Sequence, residues 1–430
     1  MQHSKTCSTP SIELPCRGSI WLDICAKRFG YYLYNVPKLS KKLKSQRCML
    51  LRLSTDASVF IIISIFVHMN RIALILLLLS GNLVGVYAQD GVADSTVAGS
   101  ASDTVKAEFD EIDMEAEKFY NSGIAKYQGG ALSGALEDFT KAIEVKPTFE
   151  KAYRNRGAVR SDLKNYKGAI ADFDVAIKLR PDSTTAYFSR GQANYALNNL
   201  EDAVIDYNGA LRVNPKDDKA YYYRGSIKFQ LQDYLGAKAD FTNCIQYDPQ
   251  NAKAYNDRGS ARRMLEDDKG AAADYAMAIQ KDPKLALAYN NLGSIKRNMG
   301  DNKGAVLEYS LALKIKPDYV LAFNNRGSAK YELEDYNGAI VDFTEAIKLD
   351  SKYAYAYNNR AAAKCKLADY KGVVADASMA IKLDPKYGYA YLNRGIAKEM
   401  LRDPDGACTD WEKAAALGIN TGKTYSSDCE

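Results

Sequence analysis

The sequence predicts an all-α solenoid of nine stacked 34-residue helical hairpins, and three observations carry that expectation. Written in rows of 34 from Ala116, the chain aligns through nine rows without an insertion or deletion. Proline recurs in one column at Pro147, Pro181, Pro215, Pro249, Pro283 and Pro317, gives way to Ser351, and returns at Pro385. Glycine recurs in another at Gly123, Gly157, Gly191, Gly225, Gly259, Gly293 and Gly327, lapses at Ala361, and returns at Gly395. A strict period of this length is one supersecondary unit copied in a line.

Within each row the apolar residues fall into two segments of helical period. In the seventh these are Ala322, Phe323, Ala329 and Leu333, then Ala339, Ile340, Phe343, Ala346, Ile347 and Leu349. A polar break, residues 334–338, separates them, and the proline-bearing turn stops the second helix. One such hairpin cannot bury both apolar faces alone, so the next copy stacks on it. Gly327 is expected to face the region of Ala339 and Ala346 and to let the two axes approach. A large column (Phe139, Phe173, Tyr207, Phe241, Tyr275, Tyr309, Phe343, Trp411) is expected to fill the joint between adjacent hairpins. Ala377 interrupts it, which predicts a packing defect in row eight.

These columns resemble the tetratricopeptide repeat family. Its aromatic, glycine, alanine, aromatic, alanine and proline positions map in row two onto Tyr153, Gly157, Ala169, Phe173, Ala176 and Pro181. The resemblance spans residues 116–421 and implies a right-handed superhelix whose inner surface is lined by the first helix of each repeat. One departure is systematic: the family's leucine before the glycine is arginine at Arg156, Arg190, Arg224, Arg258, Arg326, Arg360 and Arg394. An acid recurs one residue before the large column, from Asp138 to Asp410. The two columns predict a ladder pairing each arginine with the acid of the preceding row, as Arg360 with Asp342, setting register more than raw stability.

Composition narrows the function. The 430 residues are 47% hydrophobic and 26% charged, with a net charge of +5. That charge is unevenly placed. Residues 1–68 hold ten Lys/Arg against three Asp/Glu, and Arg71 is the one charged residue of 69–88, leaving −3 for residues 89–430. No basic stripe remains for nucleic acid. The only histidines are His3 and His68, both ahead of the repeats. Histidine-assisted nucleophiles and most zinc sites are thereby excluded, so neither enzyme activity, cofactor nor metal is expected.

Ahead of the repeats the text changes character. Residues 1–68 show no trusted periodicity and read as a non-native or disordered extension. Met69-Asn-Arg, the apolar block Ile72–Leu79 and the small-residue exit at Val86 and Ala88 read as a secretory signal peptide over 69–88. The preferred reading starts translation at Met69 and exports residues from Gln89 onward, to a periplasmic, outer-membrane-associated or extracellular location. The alternative keeps an uncleaved 58–88 segment as a membrane anchor, although His68, Asn70 and Arg71 break its apolar run. Residues 89–115, small, polar and acidic, read as a disordered linker.

The far end departs from the repeat as well. Leu417-Gly418 stands where the proline turn belongs, and residues 422–430 read as a cap hiding the last apolar face. Gly406-Ala-Cys-Thr-Asp-Trp411 with a terminal Cys429 resembles the closing module of exported bacterial tetratricopeptide proteins. That resemblance implies a Cys408–Cys429 disulfide.

The resemblance also says which columns line the inner surface. They hold Asn256, Asn290, Asn324 and Asn358, and beside them Asn291, Asn325 and Asn359. Each asparagine carries a donor and an acceptor, so a row of them could grip the backbone of an extended peptide. Further along lie Ser260, Ser294 and Ser328, then Arg263 and Arg297, suited to a carboxylate or phosphate. Tyr222 and Phe229 on one side, and Tyr355 and Tyr389 on the other, offer aromatic anchors. The blander reading has the same residues solvating the surface or stacking the helices. The lysine, asparagine and arginine set with which co-chaperones of the family grip a terminal carboxylate is absent. The expected function is therefore a non-catalytic scaffold holding a peptide segment or partner protein in its concave groove.

Overall fold

The computed structural model describes residues 97–427 and Cys429, with side chains from residue 110 onward. The extension, the signal-like segment, the anchor alternative and residues 89–96 lie outside the described residues. Nineteen helices follow one another among the described residues: α1 Val97–Gln128, α2 Leu132–Val145, α3 Glu150–Asp162, α4 Tyr166–Leu179, α5 Thr184–Ala196 and α6 Leu200–Val213. Next come α7 Asp218–Gln230, α8 Tyr234–Tyr247, α9 Ala252–Met264, α10 Asp268–Lys281, α11 Ala286–Asn298 and α12 Asn302–Ile315. Then follow α13 Val320–Glu332, α14 Tyr336–Leu349, α15 Ala354–Lys366, α16 Tyr370–Leu383, α17 Gly388–Met400, α18 Pro404–Ala416 and the short α19 Asn420–Ser426. They pair into the nine hairpins of a right-handed α-solenoid, closed by α19.

The first helix starts earlier than the row register suggests. It reaches back to Val97, into a stretch read as linker, because no glycine or proline interrupts residues 101–122. The described residues divide at Glu111, with 97–111 in one unit and 112–427 in another.

Each hairpin is built by three local devices. The turn after the first helix places Lys164, Asn198, Gln232, Glu266, Glu334, Ala368 and Arg402 at positive φ, and rows one and six use glycine there, Gly130 and Gly300. In rows four to nine an aspartate then caps the second helix, as Asp335 accepts from the Gly338 amide. Gly338 is needed there because a Cβ would lie 2.1 Å from the Asp335 carboxylate. The large column supplies the core: Phe139, Phe173, Tyr207, Tyr275 and Tyr309 are fully buried.

Gly327 faces that column rather than Ala339 and Ala346. A Cβ on Gly327 would meet Phe343 Cε1 at 2.7 Å, and Gly293 faces Tyr309 at 2.8 Å in the same way. The ring lies against the glycine of its own hairpin and also packs on the next, as Phe343 does on Ala362 and Ala363. This explains row eight without a defect. There the glycine becomes Ala361 and the ring becomes Ala377; both are fully buried in one cluster with Val373 and Ala397. The added methyl occupies space that the ring has vacated.

The arginine column pairs with acids, but within its own row. Arg360 reaches Asp376 through Nε at 2.9 Å and Nη2 at 2.7 Å, not Asp342. Arg326–Asp342 and Arg394–Asp410 repeat the two-pronged geometry. The tilt of the second helix brings the acid sixteen residues ahead under the guanidinium. The preceding row is touched only through Nη1, which finds Thr344 from Arg360 and Ser310 from Arg326. A second cation one turn along completes the clamp, Lys330 on Asp342 and Lys364 on Asp376 at 2.8 Å each.

Candidate functional site

Residues five, six, nine and twelve of each first helix share one face, the spacing i, i+4, i+7 placing Asn290, Ser294 and Arg297 above one another on α11. On that face the asparagines join into a ladder that crosses the repeats. Asn291 donates to Asn256 Oδ1, Asn325 to Asn290, Asn359 to Asn324 and Asn393 to Asn358, each at 3.0 Å and thirty-five residues apart. Asn256, Asn290, Asn291, Asn324, Asn358 and Asn359 are buried, and Asn325 partly so. They are therefore staples first. Each uses only part of its hydrogen-bonding capacity in the ladder.

The remainder decides what the site can do. Asn256 spends its amide on Asp257, and Asn358 donates to the Tyr387 hydroxyl at 3.2 Å. At the centre, Asn290 Nδ2 and Asn291 Oδ1 are buried and unpartnered. One is a donor and its neighbour an acceptor, which is the complement of a peptide unit. An unpartnered polar atom held out of water costs about 1–3 kcal/mol, and with Asn290 0% and Asn291 3% exposed a partner reaches them only when the side chains over them move.

The ladder's N-terminal end is acidic. Asp257 stands in the asparagine column and accepts from Tyr222 at 2.8 Å and from Asn256 at 3.0 Å. Burial raises its carboxyl to about 6, against the pull of those two bonds and of Lys253. The sequence signals Asp257 only as a departure from its column. The lysine column behind the arginines, Lys228, Lys296, Lys330, Lys364 and Lys398, was equally visible at the repeat period and equally overlooked.

The other expected site residues separate into groups. Tyr222 is a staple between repeats, its ring against Phe241. Phe229 packs edge-on against Tyr234. Tyr355 and Tyr389 flank Tyr387 in a tyrosine cluster at the C-terminal part of the groove, with centroids 5.0 and 6.5 Å from its ring. Ser260, Ser294 and Ser328 bond to the carbonyls of Asn256, Asn290 and Asn324 within their own helices. The cap closes as expected: Cys408 and Cys429 form a disulfide with Cα atoms 5.8 Å apart, and Tyr425 stacks edge-on against Trp411. No group of side chains among the described residues could hold a metal ion, and no described helix is long and apolar enough to cross a membrane.

The paired helices, glycine–ring contacts and inner asparagine columns define a helical repeat protein of the interaction-scaffold type. Tetratricopeptide repeat models match residues 155–218, 188–237, 222–286 and 286–319, and a TPR repeat model matches 327–367. The chain belongs to the tetratricopeptide repeat family. Such repeats generally form non-catalytic interaction scaffolds. A search of curated protein sequences finds no match. Among solved structures the chain is similar to YrrB, described as a TPR protein with an unusual peptide-binding site, at 23% identity over 43% of this chain and 95% of that one, TM-score 0.40. A tetratricopeptide repeat protein from Parabacteroides merdae is 19% identical over 58% and 99%, TM-score 0.44. The Cut9–Hcn1 assembly of APC/C is 14% identical over 74% and 76%, TM-score 0.48.

Proposed function

We propose that the solenoid grips an extended segment of a partner protein along its concave face, centred on α11. The observation that carries this reading is the pair Asn290 Nδ2 and Asn291 Oδ1, buried and unpartnered on consecutive residues of α11. A peptide carbonyl would satisfy the first and a peptide N–H the second, whatever the sequence of the segment. The ladder holds both amides in place before binding, which lowers the ordering cost of association. Tyr355 and Tyr389 then serve as the anchors toward the C-terminal part of the groove.

The test must remove the free donor without breaking the ladder. Asn290→Asp keeps an oxygen for Asn325 and loses the amide. Partners captured on residues 89–430 should be lost with this variant while its helical content holds. Their persistence would move the binding face elsewhere.

Export is the compartment this reading favours. It rests on the signal-like residues 69–88 and on the Cys408–Cys429 disulfide, a bond that persists in oxidising surroundings. Intact mass after expression distinguishes a start at Gln89 from a retained 58–88 anchor, which would make the protein a membrane-tethered assembly factor with the same groove.

A further inference from the structure

The arginines that lead the repeats and that clamp their acids have carboxylate partners, from Arg156 to Arg394, as do Arg160 and Arg262. Arg263 and Arg297 differ. They occupy the same place in consecutive rows, three residues beyond Ser260 and Ser294 on the inner face. Neither guanidinium has an ion pair or hydrogen bond among the described residues, and Arg263 Nε is buried with no partner. Their column otherwise holds Tyr127, Ser161, Tyr195, Phe229, Tyr331, Cys365 and Glu399, so adjacent cations occur in it once.

The two guanidiniums share one neighbourhood. Burial pushes the Tyr309 hydroxyl up, while Arg297, the Ser294 bond and Arg263 all pull it back. The Tyr309 hydroxyl donates to Ser294 Oγ at 3.1 Å, and Ser260 Oγ lies 3.2 Å from the Tyr275 hydroxyl. These are polar groups on the same floor. The acid on the same helix, Asp257, is already engaged by Tyr222 and Asn256. Two like charges in consecutive rows repel, and an anion between them reverses the sign of that interaction.

We propose that Arg263 and Arg297 together receive an anionic group, a carboxylate or a phosphate, carried by the segment that Asn290 and Asn291 hold. This rests on the groove reading and adds a specificity to it. Asn290 and Arg297 are seven residues apart on α11, roughly 10 Å at helical rise, which an extended chain covers in about three residues. The anion therefore sits about three residues from the gripped peptide unit. Partners lacking an acidic or phosphorylated residue at that offset bind more weakly.

Fluorescent, N-acetylated peptide pools provide the probe, built from random Ala, Ser, Leu and Gly around a fixed central residue. Three amidated pools fix Glu, phosphoserine or Gln, and a fourth fixes Gln but ends in a free carboxylate. Binding to the full chain is followed by anisotropy. At least one anionic pool should bind about tenfold more tightly than amidated Gln, the scale of one charge-assisted bond. The leading pool identifies side-chain carboxylate, phosphate or chain terminus as the source. The preference should shrink with added salt and vanish in Arg263→Gln/Arg297→Gln, whose circular dichroism should match the parent. Equal binding of all four pools, lost in Asn290→Asp, would overturn the arginine assignment and leave the groove standing. A preference that survives in the double variant would also overturn it. Binding of no pool would overturn both.

Discussion

Replacing Asp342 by Asn probes the clamp that closes each hairpin. The Asp342 side chain is 1% exposed and accepts from Arg326 Nε at 2.9 Å, Arg326 Nη2 at 2.7 Å and Lys330 Nζ at 2.8 Å. Removing one partner of a buried pair costs about 3–5 kcal/mol, because the opposite charge stays behind unpaired. Here the cations are 20% and 22% exposed, so water recovers part of that cost and about 2–4 kcal/mol is expected. Row six supplies an internal control. Leu292 replaces the arginine there and Glu308 keeps only Lys296, at 2.6 Å, so Glu308→Gln should cost about 1 kcal/mol. Urea unfolding followed by circular dichroism measures both. Since neighbouring repeats couple only to one another, hydrogen exchange in Asp342→Asn should quicken first in α13 and α14. A loss below about 0.5 kcal/mol, the usual scale of a surface substitution, would refute the clamp, as would equal losses at Asp342 and Glu308.

Three further outcomes follow from the packing, the cap and the buried acid. Gly327→Ala should cost about 1–3 kcal/mol and Phe343→Ala about 3–5, with the double variant well short of the sum because row eight already carries that pair as Ala361 and Ala377; a denaturation-based double-mutant cycle measures this. Cys408→Ser should lower stability by about 3 kcal/mol in urea unfolding, the expectation for a loop of this length, with hydrogen exchange in α19 the first to rise. The folded Asp257 carboxyl, at about 6 against the model-compound value of 3.8, binds a proton that the unfolded chain has released. Stability should therefore fall as pH rises from about 4 to about 6 and stay lower above, by roughly 3 kcal/mol at most. Asp257→Asn should flatten that fall and raise the melting temperature at neutral pH.

Much of this was legible because a repeat reports its own register. The nine rows, the break between helices and the stop at Pro385 are one-dimensional facts, and the hairpins obey them. The Cys408–Cys429 bridge was legible only through likeness to other closing modules. What the rows could not show was geometry between columns. Arg360 lies eighteen residues after Asp342 and sixteen before Asp376, both distances recur wherever the column holds arginine, and only the tilt between α15 and α16 chooses. The asparagines gave the same difficulty. Their columns were plain, but the thirty-five-residue step that joins Asn291 to Asn256 depends on how far successive first helices are offset. For the same reason the sequence showed a row of equivalent amides, where the structure distinguishes the spent ones at Asn256 and Asn358 from the unpartnered pair at Asn290 and Asn291. The helical start at Val97 lay beyond the register altogether.

The central claim is that a partner segment lies along the inner face beside Asn290. A photoreactive side chain placed at Leu287, one turn before Asn291 on α11, should crosslink that partner, while the same group at Leu307, 66% exposed on α12, should not. Crosslinking from Leu307 and not from Leu287 would contradict the account and put the partner on the second helices.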